Sequence, residues 1–387
     1  MPLAQSLFVA LLLSATLTIW IPDQWPKSLF ECGMFILAGF LVCQGNVSRT
    51  AVTPAIVLLV PVLAGFAQLA LGLSVDRAAT VQDLLHWASL GATAFIASVL
   101  AGRRGGRSSM AFSLAVAGGS VAIFALLQYY TSEGRIFWQW PSGEPKVFGP
   151  FHSRNNFASF VCVILPLTLW YSSGTRGISG FWTSVSVLLV AGVVTSGSRA
   201  GVTLVAVEVA AFVLYWLAAD RRDVAFWRAL AVSLAIAVGA AVVGWETLAD
   251  KLRQDDPLRY RREIALSAAE MIASRPVAGF GLGAFSAAYP AHALFDTGRF
   301  VNYAHNEWLE FAAEGGIGLA TYLALAALWM SRFVFRHPWA VGLPVLCVHA
   351  LVDYPFQRTG VAAWLVAIVA LLALSARNPR YGHAPHL

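Results

Sequence analysis

The stretch Arg259–Gly318 reads RYRREIALSAAEMIASRPVAGFGLGAFSAAYPAHALFDTGRFVNYAHNEWLEFAAEGGIG, and it decides how the rest of the chain is arranged. It is the longest interval without a membrane-spanning run in an otherwise apolar sequence, and it holds a disproportionate share of the Arg, His and Glu residues. Polar side chains gathered in one extramembrane segment of an apolar chain are typical of a membrane protein whose site lies at the bilayer surface.

The composition supports a membrane protein. The chain has 387 residues, of which 58% are hydrophobic and 12% charged, whereas soluble domains carry about 25% charged residues. The formal net charge of +6 does not indicate nucleic-acid binding, because the basic residues form short clusters between apolar runs, as the positive-inside rule expects.

A membrane-spanning helix needs about 20 mostly apolar residues, and the hydropathy pattern predicts about twelve. They centre near residues 5–21, 29–44, 51–73, 81–101, 109–129, 156–172, 180–197, 200–219, 229–246, 312–331, 340–354 and 360–376. The N-terminus has no basic region before its apolar run, so it is interpreted as a first membrane helix. We therefore expect an all-α, polytopic single membrane domain, 1–387, with one large, partly helical external loop at 247–311.

The loop charges predict that both termini are cytoplasmic. The inside loops then contain Arg49, Arg103, Arg104, Arg107, Arg176, Arg221, Arg222, Arg228, Arg332, Arg336, Arg377 and Arg380. On the outer face the same assignment gathers five polar clusters from distant parts of the chain. They are residues 152–156, residues 196–199, Arg261, His305 with Asn306, and His349 with Asp353 and Arg358. Five clusters on one membrane face indicate a site.

Within the large loop, residues 258–273 have helical periodicity. Arg261 shares a face with Ile264 and Ala268, so it points where the helix packs, while Arg262 points more towards solvent. We assign Arg261 a ligand role; Arg262 is a second candidate for substrate binding or a surface charge near the headgroups. Pro276 stops the helix, and the glycines that follow predict a tight turn whose N–H groups could bind an anion.

A second helix begins at Asn306–Trp308 and continues into the next span, which leaves His305 at the interface. The near-neutral pKa typical of histidine makes His305 the candidate general base. Asn306 and Glu310 are candidate substrate-binding residues. Glu310 or Glu314 could instead orient an arginine or cap backbone, and the sequence does not choose between these roles.

Arg199 lies between two apolar runs, where an arginine is costly unless paired or near water, so it is a candidate site residue. Arg154 and Asn156 stand where an outer loop enters a span and either bind substrate or cap the helix. Asp353 is either a substrate-binding residue or part of a structural ion pair. Glu208, near the middle of a span, has an open role.

Several arginines and one histidine on a single face suit a polyanionic ligand and one proton transfer, because guanidinium groups bind phosphate bidentately. A lipid-anchored diphosphate fits this arrangement, and arginines could stabilise the departing diphosphate without a divalent ion. The sequence contains no recognisable metal motif and predicts no cofactor.

Four motifs resemble the O-antigen ligase superfamily of polytopic bacterial inner-membrane glycosyltransferases. They are GPFHSRNNFASFVCVILPL from Gly149, SGSRAG from Ser196, R-x14-P-x-x-G-x-G-x-x-x-F from Arg261 to Phe285, and AHNEWLEFAAEGGIGL from Ala304. They cover residues 148–318 in the family's order, and the last two are the more specific.

The resemblance implies metal-independent, inverting transfer of a glycan from undecaprenyl diphosphate to an acceptor hydroxyl at the periplasmic face of the inner membrane. The family's catalytic histidine corresponds to His305, and its two arginines correspond to Arg199 and Arg261, which would hold the diphosphate. In the ligases the acceptor is the lipid A–core oligosaccharide, and ligation of O-antigen is the activity we expect.

Other acceptors remain open, because polymerases of O-antigen or exopolysaccharide repeats (Wzy-type) and protein O-oligosaccharyltransferases share these motifs. The segment HALVDYPFQ, residues 349–357, resembles the exopolysaccharide polymerase branch. A non-enzymatic alternative is a flippase or exporter of lipid-linked sugars, which should carry paired charges deep in several spans. This chain offers mainly Glu208 there.

Overall fold

The computed structural model describes residues 2–45, 49–173, 178–218, 259–295, 298, 300–335 and 337–375. The described chain is mostly helical, with one short hairpin, which confirms the all-α class in its coarse form. The span expected at 229–246 and the first residues of the expected 247–311 loop lie outside the described residues.

The described helices follow the predicted apolar runs closely. In chain order they are α1 Pro2–Leu17, α2 Trp25–Cys43, α3 Arg49–Val57, α4 Leu59–Ala70, α5 Arg77–Ala101, α6 Gly106–Thr131, α7 Arg154–Ser172, α8 Ser179–Ser196, α9 Arg199–Ala218, α10 Arg259–Ser274, α11 Phe285–Ala288, α12 Glu307–Ser331, α13 Gly342–His349 and α14 Thr359–Ser375. Short 3-10 segments occupy Tyr289–Ala291, Arg332–Phe335 and Pro338–Val341, and strands β1 Arg135–Ile136 and β2 Trp140–Pro141 pair antiparallel between α6 and α7.

Within the described residues, seven helices are long and apolar enough to cross a membrane. They are Trp25–Cys43, Val52–Ala70, Arg77–Ala101, Gly106–Thr131, Ser179–Ser196, Arg199–Leu217 and Glu307–Val334, and Pro2–Leu17, Pro338–His349 and Thr359–Ala373 are shorter apolar helices. This number is smaller than the twelve spans predicted, partly because several apolar runs form helices of fewer than 18 residues.

Two helices form the centre of the bundle. In α7 every residue from Asn156 to Leu169 is buried, because α6, α8, α9 and α13 pack around it. Helix α5 is contacted by α2, α3, α4 and α14, and its second half is also largely buried. A helix that is apolar on all sides belongs in such a position.

The outer helices expose large apolar side chains, including Ile36, Phe40, Phe66 and Leu328. In water these surfaces would be aggregation-prone. Together with the apolar helices, they indicate a multi-pass membrane protein with lipid-facing outer helices.

Helix α12 is broken near its first third. Gly316 has φ +80° and ψ +167° inside the helix, a combination essentially restricted to glycine. The glycine turn after Pro276 docks into this break: Phe280 and Gly281 N–H donate to the carbonyl oxygens of Ala313 and Glu314. The break therefore joins the large loop to a membrane helix.

One end of the bundle, which we call the site end, collects the polar loops. Direct contacts connect the starts of α7 and α9, the start of α10 with the loop before α12, and α7 with the end of α13. The five polar clusters that the sequence predicted on one face are all located at this end.

Candidate active site

Three predicted arginines lie in the first turns of helices at the site end. Arg154 is the first residue of α7, Arg199 the first of α9, and Arg261 the third of α10. Helix N-termini present unpaired N–H groups and a positive dipole end, so each strengthens the attraction of its arginine for an anion. A hydrogen bond of 2.9 Å from Ser198 Oγ to Asn155 Oδ1 fixes the starts of α7 and α9 together.

The three guanidinium groups are electrostatic neighbours. Partial burial lowers the pKa of Arg154, and the positive charges of Arg261 and Arg199 lower it further, against the opposing charge of Glu144. Like charges disfavour one another's charged form at short range. The site end is therefore a concentrated positive region that a dianionic or trianionic group would neutralise.

The face assignment of α10 is confirmed. Ile264 and Ala268 are fully buried and Arg261 is half-buried beside them, whereas Arg262 is exposed on the same face as Leu266. The predicted stop is also confirmed, since the helix ends at Ser274, ahead of Pro276. Arg262 therefore lies on a more exposed face of α10 than Arg261, which gives less support to the substrate-binding role predicted for it.

His305 occupies a strained position at the edge of the cluster. Its φ is +52°, uncommon for a residue with a side chain and frequent at functional sites. Its side chain is 28% exposed, and Nδ1 lies 3.9 Å from Asp353 Oδ1. The edge of the imidazole meets the Tyr354 ring at 5.1 Å between centroids, with the Tyr260 ring at 6.4 Å.

Asp353 lies between two histidines. Its second oxygen is 3.9 Å from His349 Nε2, and His349 Nδ1 contacts Ser159 Oγ at 3.0 Å. Burial alone would raise the pKa of Asp353, but the contact with His305 and the charges of His349 and Arg261 lower it below its ordinary value. Because Arg261 contributes to this shift, Asp353 connects the histidines to the arginine cluster.

An aromatic pair supports the other side of this carboxylate loop. The Tyr303 and Tyr354 rings stack at 4.2 Å, and the Arg358 guanidinium lies 5.2 Å and 4.9 Å from their centroids. Arg358 also donates to the Tyr354 hydroxyl at 3.3 Å. These contacts hold Arg358 against the rings, so it braces the loop that carries Asp353.

The carboxylates of α12 are buried and bind backbone rather than an arginine. Glu307 accepts from Phe356 and Gln357 N–H at 3.0 Å and 2.8 Å, Glu310 from Ala304 N–H at 2.7 Å, and Glu314 from Phe285 N–H at 3.0 Å. Glu310 and Glu314 therefore cap backbone N–H groups, which is one of the two roles that the sequence left open for them. One helix positions the Asp353 loop, the His305 segment and the glycine turn.

Two residues predicted to bind substrate have structural contacts instead. Glu310 is 1% exposed, so its carboxylate is closed off from a ligand. Asn306 Oδ1 accepts from Leu309 N–H at 3.2 Å and caps α12, which leaves only its amide nitrogen for a substrate.

The loop before α7 shows whether Arg154 and Asn156 cap the helix, the alternative to substrate binding. The cap of α7 is Ser153, whose Oγ accepts from Asn155 N–H at 3.3 Å, so neither Arg154 nor Asn156 is needed for capping. Asn156 is buried, with 5% of its surface exposed, whereas Arg154 is exposed and does not cap the helix. Of the two predicted ligands, the geometry favours Arg154.

The glycine turn does not form the anion nest considered from the sequence. The N–H groups of Gly279, Phe280, Gly281 and Leu282 all have acceptors within the protein. Gln68, from α4, donates to Ala278 and Glu314 carbonyls at 2.7 Å and 2.8 Å and accepts from Leu282 N–H at 3.0 Å. These hydrogen bonds therefore hold the glycine turn against the break in α12.

Sequence reasoning did not find Gln68, Glu307 or Ser159 as parts of this arrangement, and it placed His349 on the site face without assigning it a role. The available signals were weak: Gln68 is a lone amide in an apolar helix, and His349 precedes Asp353 by one helical turn. Among the described residues, no group of three or more His, Cys, Asp or Glu side chains is placed to hold a metal ion.

Residues 184–324 match the family described as O-antigen ligase, which supports membership in the O-antigen ligase superfamily, a group of glycosyltransferase-like membrane enzymes. No curated protein matches the chain. The matched segment includes Arg199, Arg261 and His305 but ends before Asp353.

Proposed function

With residues 184–324 assigned to the O-antigen ligase superfamily, we infer that this protein transfers a glycan from undecaprenyl diphosphate to an acceptor hydroxyl. The observation that carries this proposal is the meeting of Arg154, Arg199 and Arg261 beside the His305–Asp353 pair at one end of the bundle. The arginines provide an anion site and the pair provides a base, which are the two requirements of the reaction.

The proposed reaction has one proton transfer and one displacement. His305 Nδ1 faces Asp353, so Nε2 takes the proton of the acceptor hydroxyl while Asp353 stabilises the imidazolium that forms. The acceptor oxygen forms a bond to the anomeric carbon from the face opposite the diphosphate, and the carbon–oxygen bond to the diphosphate breaks with inversion. The guanidinium groups stabilise the charge on the leaving diphosphate, so the mechanism requires no metal ion.

Arg199 and Arg261 are proposed to grip the diphosphate, with Arg154 as a third guanidinium. Arg262, Asn156, Asn306 and Glu310 were also expected to bind substrate, but their exposure or buried contacts give this role less support. Asp353 acts on His305 rather than on the sugar in this mechanism.

The proposed membrane arrangement has about twelve spans in a single domain, with the site end at the periplasmic face of the bacterial inner membrane and both termini cytoplasmic. The large periplasmic loop, 247–311, would lie over the donor headgroup. The positive-inside distribution of arginines and the ten apolar helices that the structure describes support this arrangement.

Ligation of O-antigen to lipid A–core is the activity we propose, and a Wzy-type polymerase is the second candidate. The polymerase is favoured by the resemblance of residues 349–357 to the exopolysaccharide polymerase branch, because Asp353 of that segment lies 3.9 Å from His305 and His349 lies 3.9 Å from Asp353. Deleting the gene distinguishes the two. Loss of all long-chain lipopolysaccharide indicates ligation, whereas retention of single repeats or loss of a secreted polysaccharide indicates polymerisation.

His305→Ala tests the base. We expect the variant to insert normally and to lose transfer by roughly 10²–10⁴-fold, the contribution of a positioned general base, measured on silver-stained gels of surface glycan. His292→Ala is the matched control, since His292 packs on the Phe280 ring in the same loop and has no role in the mechanism. Near-normal product from His305→Ala would contradict the proposal.

A further inference from the structure

The hairpin between α6 and α7, residues 135–141, carries a cluster of aromatic rings at the site end. The Trp140 ring lies 5.2 Å from Trp20 and 6.1 Å from Phe137, and Trp138 meets Phe124 at 5.7 Å. Trp138 is nevertheless 42% exposed and Trp140 46% exposed. The rings therefore pack on neighbouring aromatic side chains while Trp138 and Trp140 both remain partly exposed.

The backbone of this hairpin is strained in a way that fixes the rings. Phe137 and Trp138, the central residues of the turn, have φ of +51° and +58°, where hairpins normally place Asn and Gly. Phe137 N–H donates to Gln128 Oε1 at 3.2 Å, and Trp138 Nε1 donates to Thr131 Oγ1 at 3.0 Å. A conformation that costs free energy at two bulky residues, and is held by side-chain contacts, is the kind found at ligand-binding sites.

The hairpin is connected to the arginine cluster. Phe148 stacks on Tyr129 at 4.4 Å on one side and on Phe157, in the first turn of α7, at 4.4 Å on the other. The carboxylate of Glu144, from the same loop, acts electrostatically on Arg154. The loop that contains the hairpin therefore also reaches the first turn of α7, where Arg154 lies.

The surface has the character of a carbohydrate site. Trp138 and Trp140 alternate with Gln139 and follow Arg135, all exposed, and the loop from 132 to 146 also contains Glu133, Glu144 and Lys146. Sugar rings present C–H groups on one face and hydroxyls at the edge, which suit aromatic faces flanked by amide and guanidinium groups.

We propose that the surface formed by Trp138, Trp140, Gln139 and Arg135 binds the sugar residues of the acceptor glycan and guides them to the arginine cluster. This proposal rests on the proposed function for the identity of the glycan, but it makes a separate claim about binding. It predicts that the hairpin affects acceptor affinity and leaves the chemical step unchanged.

The test uses the full-length His305→Ala protein in lipid nanodiscs, so that no turnover is required. The probe is the core oligosaccharide released by mild acid from lipopolysaccharide that lacks O-antigen, which is the sugar part of the proposed acceptor. We expect binding by isothermal titration, and we expect adding Trp138→Ala with Trp140→Ala to weaken it at least about tenfold, as for central contact residues. Trp329→Ala is the control, since Trp329 is also exposed, at 44%, but lies near the opposite end of α12.

Equal affinity in the double variant, or no binding by the parent protein, would overturn the proposal. So would quenching of the Trp138 and Trp140 fluorescence by brominated lipids, which would assign the rings to the membrane interface. In the active protein, the double variant should raise KM for the acceptor and leave kcat unchanged. If oligosaccharide binding depends on the hairpin but the parent protein, which has His305, transfers no glycan, this proposal stands and the proposed function is contradicted.

Discussion

Asp353 and His305 form the pair on which the proton transfer depends. Replacing Asp353 by Asn keeps the size of the side chain but removes the charge that would stabilise a protonated His305. We expect transfer to fall by roughly 10²-fold or more with little change in membrane insertion, measured by glycan gels and protein abundance. Transfer at the parent level would mean that the 3.9 Å contact has no part in the reaction.

The lowered pKa of Asp353 also gives a stability prediction with a defined sign. A carboxyl whose pKa is lower when folded stabilises the protein above its unfolded pKa, about 3.9, and this contribution disappears as the pH falls through the folded value. The contribution of the ionised carboxyl should be lost in acid, so the difference in Tm between the parent and Asp353→Asn should be smaller at pH 3 than at pH 5. A difference that is as large at pH 3 as at pH 5 would contradict the lowered pKa.

Arg261 and Arg262 are adjacent in sequence but occupy different faces of α10, which makes them an informative pair. Arg261→Lys should strongly reduce transfer, because an ammonium group cannot replace a bidentate guanidinium at a phosphate. Arg262→Lys should reduce transfer less, since Arg262 lies on the exposed face of the helix. Equal losses, measured as kcat/KM for the lipid-linked donor, would contradict the face assignment.

At the scale of the element, replacing one glycine by alanine tests whether the break in α12 is required. A Cβ at Gly316 would overlap the carbonyl oxygen of Val277, and its φ of +80° strains any other residue. We expect Gly316→Ala to destabilise the protein by about 1–3 kcal/mol and to reduce transfer, because the glycine turn and the His305 segment are both fastened to this helix.

Gly318→Ala is the matched control for this prediction. It lies two residues further along the same helix, and a Cβ there meets nothing within 4 Å, so alanine should stabilise by up to about 1 kcal/mol through helix propensity. Both variants are compared by Tm in detergent. Similar Tm values for the two would mean that the break is not required.

At the scale of the whole molecule, the sequence predicted what depends on local patterns. Eleven of the twelve spans that the apolar runs predicted coincide with described helices. The 3.6-residue period placed Arg261 and Arg262 on different faces of α10, as the structure does. These properties depend on neighbours in the chain, so one sequence is sufficient to find them.

The partners of buried polar groups could not be predicted in this way. Glu307 binds N–H groups 49 and 50 residues away, and Gln68 fastens a turn more than 200 residues away. A carboxylate in a sequence does not indicate which backbone group it will cap, because that depends on how distant helices pack. For this reason Glu310 and Asn306 were expected to bind substrate, although their oxygens hold the backbone.

The orientation of the molecule can be tested independently of its chemistry. If successive helices cross the bilayer as proposed, the loop after α6 and the loop after α5 lie on opposite faces. In a variant without the four native cysteines, Lys146→Cys should react with a membrane-impermeant maleimide in cells with a permeabilised outer membrane. Arg104→Cys should react only after lysis, although both positions are exposed. Labelling of Arg104→Cys in intact cells would place the positive loops outside, and with them it would put the arginine cluster on the cytoplasmic side, where a periplasmic transfer reaction cannot occur.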